Sequence, residues 1–599
     1  MQQDTAAGGA RPALSGREAA VYFLIAAVLD VATGLRSAPG VLQGDLLNPD
    51  TYMRLVRLRD IVRLGEPLHV VLRDGSGGGT VLHWSHFLDS MLLLLAAPLR
   101  LLLGPDTALH GAALAIGPIG VGLLGVGAAW AMAPLADRGW RWTAPVLAAM
   151  APPIVAYGLP GVAHHHVPLG LAAVMLAGYA GRLAVGDLAA GWGLGAWASA
   201  GIWLSPESMP LILMAFGGTG LAWMLSPRGM GIGSGIAAAG SVFVALTACT
   251  FAVDPPLPGY GAVEITRLSV VFVVLAAVAC AVGWWLWSLD RAPLAPLPRA
   301  LLGSAVGVGL VLLWIALFPV ILRGTGGLND ATEINAMFAQ IQEMRPVASI
   351  SQGIVFLLDG VFAALLLVWL AVSRRSWLWA YAALCVGLAL VLGLLHVRFT
   401  TYGAVAGAAC LPVALTECSR RLAHRAPGLQ MLVRVGLLAV VMLSTRADAM
   451  PALFGAATPA ERRSSVASAE CPMRDVTALL APYAGEVVLS DVNDVPELLY
   501  RTEVHTVGSL YLNVGGFMRL RAAWRTGPSE SAPDAVLATR ATLVLACPHA
   551  ARSMLVADLP PDTLLDRLGR HEVPSWLQPV ASDSGSGYTL YRIIQSTRP

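Results

Sequence analysis

The sequence predicts a polytopic α-helical membrane protein of about thirteen transmembrane helices, with a C-terminal α/β domain outside the bilayer. Three observations predict it. Of 599 residues, 56% are hydrophobic and only 13% are charged, against roughly 25% charged in soluble domains. Fourteen apolar runs approach the ~20 residues that a lipid-crossing helix needs. Beyond residue 446 these runs stop, and short strand-like and helix-like patterns replace them. The net charge is +2 and there is no Lys/Arg tract, which argues against a nucleic-acid partner.

Residues 1–17, rich in Ala and Gly, read as a cytoplasmic tail carrying Arg11 and Arg17. No small-residue cleavage site follows a short apolar core, so the first run, 19–36, reads as an anchor. The run 87–103 is short, contains Pro98 and Arg100, and is followed almost at once by the long run 108–134. It reads as a helix lying in the interface. The other spans are 142–158, 168–182, 188–204, 207–226, 230–252, 268–288, 300–322, 352–373, 377–396, 400–417 and 429–446.

With thirteen spans and the N-terminus inside, Arg138, Arg141, Arg182, Arg228, Arg291, Arg299, Arg374, Arg375, Arg420, Arg421 and Arg425 all fall on the cytoplasmic side. The outer connections 205–207 and 253–265 then hold Glu207, Asp254 and Glu264 without Lys or Arg. Counting 87–103 as a span would reverse this pattern. The membrane domain, 18–446, thus carries two long outer loops, 37–107 (with a Gly/Ser linker, Gly75 to Gly79) and 323–351.

The tail domain, 447–599, has strand-like runs at 486–489 and 541–546 and helical stretches at 475–480 and 562–568. Cys471 and Cys547 are the only cysteines in this polar region, and in an oxidising compartment they are a candidate disulfide.

Four polar features stand on the predicted outer face. Asp50 opens an amphipathic stretch reaching Asp60, and an N-cap or an active-site acid accounts for it equally. His164, His165 and His166, the only histidine cluster, suit a divalent metal, an anion or a polar interfacial turn. The 323–351 loop holds Asn329, Asp330, Glu333 and Glu343, acids that a solvated surface helix also explains. His396-Val-Arg398-Phe, in a very short connection, is a snorkelling arginine or a phosphate clamp.

These residues give the sequence a resemblance to the GT-C superfamily of membrane glycosyltransferases, most closely the catalytic subunit of oligosaccharyltransferase in its bacterial single-subunit form. Asp50-Thr51-Tyr52, with Arg59-Asp60 following, resembles that family's first-loop motif. Gly161 followed by His164-His165-His166 stands where the family has an Asp-x-Asp motif, with His at both acid positions. Ile341-Gln342-Glu343 is similar to the family's Thr-Ile-x-Glu motif, and Arg398 in Val-Arg-Phe occupies the place of its donor-binding arginine. The sequon-reading Trp-Trp-Asp-Tyr-Gly motif is absent from 447–599.

The resemblance implies Asp50 as the catalytic carboxylate, with Tyr52 and His165 in support. It implies Asp50, His164, His166 and Glu343 as ligands of a divalent metal, Mn or Mg in the family, and Arg398 with His396 on the donor phosphate. The implied activity moves a sugar or glycan from a polyprenyl-phosphate or -diphosphate carrier to a glycan, lipid or protein acceptor. Its implied place is the periplasmic face of a bacterial inner membrane, among membrane lipids. Three other readings stay open: a transporter or flippase of lipid-linked sugars, which only Asp30 and Asp359 in apolar runs keep open since no internal repeat is seen, a polysaccharide polymerase or ligase, and a catalytically silent scaffold.

Overall fold

The computed structural model describes residues 14–65, 69–227, 230–324, 331–339, 341–442, 471–547, 562–582 and 587–594. Arg11, Arg228, Asn329, Asp330, the end of the predicted last span and residues 447–470 lie outside the described residues.

Among the described residues, nine helices are long and apolar enough to cross a membrane, including Pro105–Met132, His166–Ala184, Ile232–Val253, Ile350–Ser373 and Trp377–Leu395. The chain is a multi-pass membrane protein by this helix composition. Four predicted spans are shorter, more charged or broken. Gly16–Thr33 carries Arg17, Glu18 and Asp30, while Ala190–Leu204 and Pro427–Val441 have 15 residues each. The 142–158 run divides into Thr143–Met150 and Pro152–Gly158, because Ala151 precedes proline and takes an extended conformation (φ −66°, ψ 123°).

Several apolar cores hold the helices together, two of them large. One joins Ala26, Val121, Leu124, Leu147, Val174, Val405 and Leu411, around the almost wholly buried Thr400–Arg421 helix. The other joins Leu194, Ile212, Ile236, Phe243, Val271, Leu275 and Trp314. Helices such as Pro296–Leu317 instead leave Leu301, Val308, Leu312 and Leu313 exposed, as lipid-facing surfaces do.

The C-terminal region is a five-stranded mixed sheet of order β4-β3-β5-β7-β6. Strands β3 (Val487–Leu489), β4 (His505–Thr506) and β5 (Leu543–Ala546) run parallel, with Val488 opposite Leu543. Strands β6 (Leu577–Ser582) and β7 (Thr589–Ile593) close it antiparallel, with Val544 opposite Tyr591. Cys471 and Cys547 form a disulfide, Cα atoms 6.3 Å apart.

The Gly75–Gly79 segment is not a linker. It is the turn of a small hairpin, β1 (Val70–Val71) and β2 (Thr80–Val81), in which Gly75, Gly77 and Gly79 take positive φ. A Cβ at Gly79 would stand 2.6 Å from Val70 Cγ1.

This hairpin fastens the first loop to the tail domain. Asp74, fully buried, accepts hydrogen bonds from Thr80, Thr506 and Ser509 at 2.6, 2.8 and 2.6 Å. Ser76 N–H donates to the Thr506 carbonyl at 2.7 Å. The Ala331–Phe338 helix adds a second fastening, since Ile334 and Met337 enter the core around Phe517 and Leu520.

Candidate active site

The site begins with the helix Pro49–Leu64. Asn48 caps it, its side-chain oxygen accepting the Asp50 N–H at 2.7 Å, and Pro49 brings no N–H that would need a partner. Residues 51–58 are all buried, because this helix is sandwiched. Tyr52, Leu55 and Leu58 pack on Leu88, Leu92 and Leu109 of the helical bundle. Met53 and Val56 pack on Trp84, Val495, Leu499 and Tyr511. The buried Arg54 and Arg57 each donate a hydrogen bond to the buried Asp89, at 2.6 and 2.5 Å, which counters their charge. Asp50 is therefore held on an immobile element, in the first turn where the helix dipole favours a carboxylate.

Two groups grip that carboxylate. Tyr511 donates its hydroxyl to Oδ1 at 2.8 Å, and His164 Nε2 stands 2.9 Å from Oδ2. Burial pushes the Asp50 acid up, but His164 and Tyr511 outweigh it and hold the acid below the usual carboxylate value. Burial and the adjoining Asp50 charge raise the Tyr511 hydroxyl well above its ordinary value.

The histidines arrive by a turn that needs glycine, Gly161 at φ 87°. Leu47 N–H donates to the Gly161 carbonyl at 3.3 Å and Ala163 N–H to Thr51 Oγ1 at 2.8 Å, which pins this turn beside Asp50. The three imidazoles are buried, with ring centroids 4.5–4.6 Å apart and Nδ1 of His164 and His166 separated by 2.9 Å. Each offers one nitrogen, all within 4.8 Å of one another. Tyr157 lies across His164 and His166, centroids 4.6 and 4.5 Å away, and donates its hydroxyl to Glu343 at 2.8 Å.

Arg398 closes the opposite side. Its guanidinium stands 2.5 Å from Glu207 and 3.5 Å from Glu343. The other Glu207 oxygen lies 3.9 Å from His165 Nε2 and 4.0 Å from His166 Nε2. His396 meets the Met344 carbonyl at 2.7 Å, and Val397 N–H donates to the Arg345 carbonyl at 3.0 Å, so the Arg398 and Glu343 segments are tied together.

Asp50, the three histidines, Glu343 and Arg398 thus share one contiguous network. Asp50 joins it through His164, and Glu343 joins it through Tyr157 and Arg398. Tyr52 points elsewhere, its hydroxyl accepting Leu46 N–H at 2.8 Å and meeting Arg501 at 3.2 Å. The Cys471–Cys547 disulfide belongs to the core of the tail domain.

Sequence reasoning missed Glu207, Tyr157, Tyr511 and His83. Glu207 carried a signal, an acid in a short connection on the same predicted face as Arg398. His83 sits in the polar run Leu82-His-Trp-Ser-His86, stacks at 6.5 Å on Tyr511, and is pushed down to about 3 by burial against the counter-pull of Asp50.

The donor set fits a divalent cation. Burial first, then the neighbouring His164, His166 and Arg398 charges, hold the His165 imidazole well below its ordinary pKa. Three carboxylates, Asp50, Glu207 and Glu343, stand beside the imidazoles against the single guanidinium of Arg398. His165 Nδ1, His166 Nε2 and Glu207 Oε2 are buried without a hydrogen-bond partner, as is Arg398 Nε. The carboxylates still reach the opening, with side chains 24% exposed at Asp50 and Glu343 and 28% at Glu207.

No family model and no curated protein matches the sequence. Solved structures do match the fold. The oligosaccharyltransferase of Archaeoglobus fulgidus in its apo form superposes with a TM-score of 0.65 at 12% identity, covering 98% of this chain and 75% of that one. The same enzyme in complex with Zn and sulfate gives 0.63 at 13% identity, covering 96% and 74%. In complex with an inhibitory peptide and a dolichol-phosphate it gives 0.64 at 12%, covering 97% and 75%.

Proposed function

We propose, from a fold that is the GT-C membrane glycosyltransferase fold of the oligosaccharyltransferase type, that this chain is a glycosyltransferase. It moves a sugar or glycan from a polyprenyl-phosphate or -diphosphate carrier to an acceptor on the outer side of the membrane. The observation that carries the proposal is the continuous network that joins Asp50, gripped by Tyr511 and His164, through the histidines and Glu207 to Arg398. The dolichol-phosphate and the Zn and sulfate held by the archaeal enzyme support a lipid-phosphate donor and a metal-binding cleft here.

The reaction joins the acceptor oxygen or nitrogen to the anomeric carbon and breaks the bond from that carbon to the carrier phosphate. Asp50 orients the acceptor and takes its proton. Arg398, held by Glu207, neutralises charge on the departing phosphate, an interaction that strengthens in the transition state. His164, His166, Glu343 and Asp50 would hold a divalent metal, which when bound supplies Lewis acidity at the phosphate. Thirteen spans, a cytoplasmic N-terminus and a periplasmic tail domain from residue 447 complete the reading, and a disulfide between Cys471 and Cys547 suits that compartment.

The test is mass spectrometry of carrier-linked sugars in cells lacking the gene. A carrier-linked sugar accumulates, the wild-type chain clears it, and Asp50→Asn at equal membrane abundance leaves it in place. Clearance by Asp50→Asn overturns the proposal.

A further inference from the structure

A second group of ligating side chains stands behind the first-loop helix, outside the network described above. His69 immediately precedes β1, His86 immediately precedes the Phe87–Leu103 helix, and Asp254 caps the C-terminal end of Ile232–Val253. Each presents one ligand atom, and these lie within 4.8 Å of one another. Asp254 Oδ1 is 2.7 Å from His86 Nδ1 and 3.8 Å from His69 Nε2. Tetrahedral ligands bound at about 2.0–2.1 Å stand about 3.3 Å apart, between these two separations. We propose that His69, His86 and Asp254 bind a borderline divalent transition-metal ion of the zinc class, clasping the first loop to the connection that follows Ile232–Val253.

Hydrogen bonding alone does not account for this arrangement. At 3.8 Å the His69 nitrogen is beyond hydrogen-bond reach of the carboxylate, and its other nitrogen is buried without a hydrogen-bond partner. The carboxylate is also oriented in the manner of an outer-shell-supported ligand. Trp203 Nε1 and the His86 N–H both donate to Oδ2 at 2.8 Å, leaving Oδ1 facing the histidines. Arg267, a nearby cation, is paired with Glu264 at 2.8 Å, so its charge is countered. Side-chain exposures of 11%, 13% and 4% keep all three ligands largely out of water.

The chemistry selects the ion class. Two imidazoles and a carboxylate suit zinc and its first-row neighbours better than magnesium or calcium, which prefer oxygen. The clasp has a structural consequence. It would fix the end of the Leu82–His86 run, whose His83 and Trp84 rings pack on Tyr511 at 6.5 and 5.0 Å.

The experiment uses the full chain in detergent, with His164 and His166 both changed to Gln so that the first group keeps a single imidazole while the second keeps its full set. After chelator stripping and zinc addition, elemental analysis should find a single bound equivalent, and zinc should raise the thermal unfolding midpoint. Adding His69→Gln should remove both effects, and Trp203→Phe should weaken zinc about 10–100-fold. As a check independent of the folding of the triple variant, the stripped background loaded with cobalt(II) should show ligand-field bands that zinc displaces. Absence of those bands, or a zinc equivalent that survives His69→Gln, overturns the proposal. No readout uses transfer activity, so the glycosyltransferase reading stands or falls separately.

Discussion

Arg398 shows how little freedom a single side chain has in this site. Glu207 and Glu343 position its guanidinium, while Nε stays buried without a partner. A lysine would keep the charge but lose the planar fork that grips phosphate. Arg398→Lys is expected to lower kcat/KM about 100-fold with little change in unfolding temperature, checked by steady-state transfer assays beside thermal melts. Asp494 makes a different residue-level case. Burial, then the Asp491 charge, raises its acid well above the ordinary value, against the Tyr588 hydroxyl at 3.2 Å. The folded chain then keeps a proton that the unfolded chain loses near about pH 4. Stability should therefore be greatest in acid and decline as pH rises from there through the folded pKa. In Asp494→Asn, melts from about pH 4 to about pH 8 should lack this component of the decline. A wild-type minus variant difference that grows more favourable with pH would contradict the assignment. At this scale the sequence spoke through residue type. Asp50, His164 and Arg398 are polar groups in connections between apolar helices, and so stood out, whereas Glu343 was singled out only through the family resemblance. Tyr511 was not, because 461 residues separate it from Asp50 and nothing local marks a tyrosine beside Leu510.

Among the elements, the β1–β2 hairpin carries more than its size suggests. Hydropathy marks it only as a polar stretch rich in glycine, and its pairing with the tail depends on hydroxyls 432 and 435 residues away from Asp74, which no local pattern encodes. Arg73 adds contacts to the carbonyls of Thr502 and Leu499. Asp74→Ala would leave the Thr80, Thr506 and Ser509 hydroxyls without their acceptor and is expected to cost about 3 kcal/mol, read as a lower unfolding midpoint. Asp74→Asn, which keeps an acceptor oxygen, should cost less. The long helices were the easiest part of the fold to read, since lipid demands long uninterrupted apolar runs. The break at Ala151–Pro152 was hidden because hydropathy cannot register one extended residue, although the Pro152-Pro153 pair was the local signal for it.

For the whole molecule, the tail domain is part of the site rather than an appendage, joined to it through the hairpin, the Ala331–Phe338 helix and Tyr511. Its disulfide closes a loop with a sequence separation of 76, which chain entropy values at about 4 kcal/mol. Cys471→Ser, or a reductant, should lower the unfolding midpoint of the wild-type chain, and a reductant should have no further effect on the variant. A reductant-insensitive wild type would show the bond to be unimportant. The Tyr511 contact also sets an order in time. Translation delivers Asp50, the histidines, Glu343 and Arg398 long before residue 511, and the hydroxyl that completes the grip on Asp50 comes last. A chain not yet extended to residue 511 therefore holds the histidines, Glu343 and Arg398 without the hydroxyl that completes the grip on Asp50.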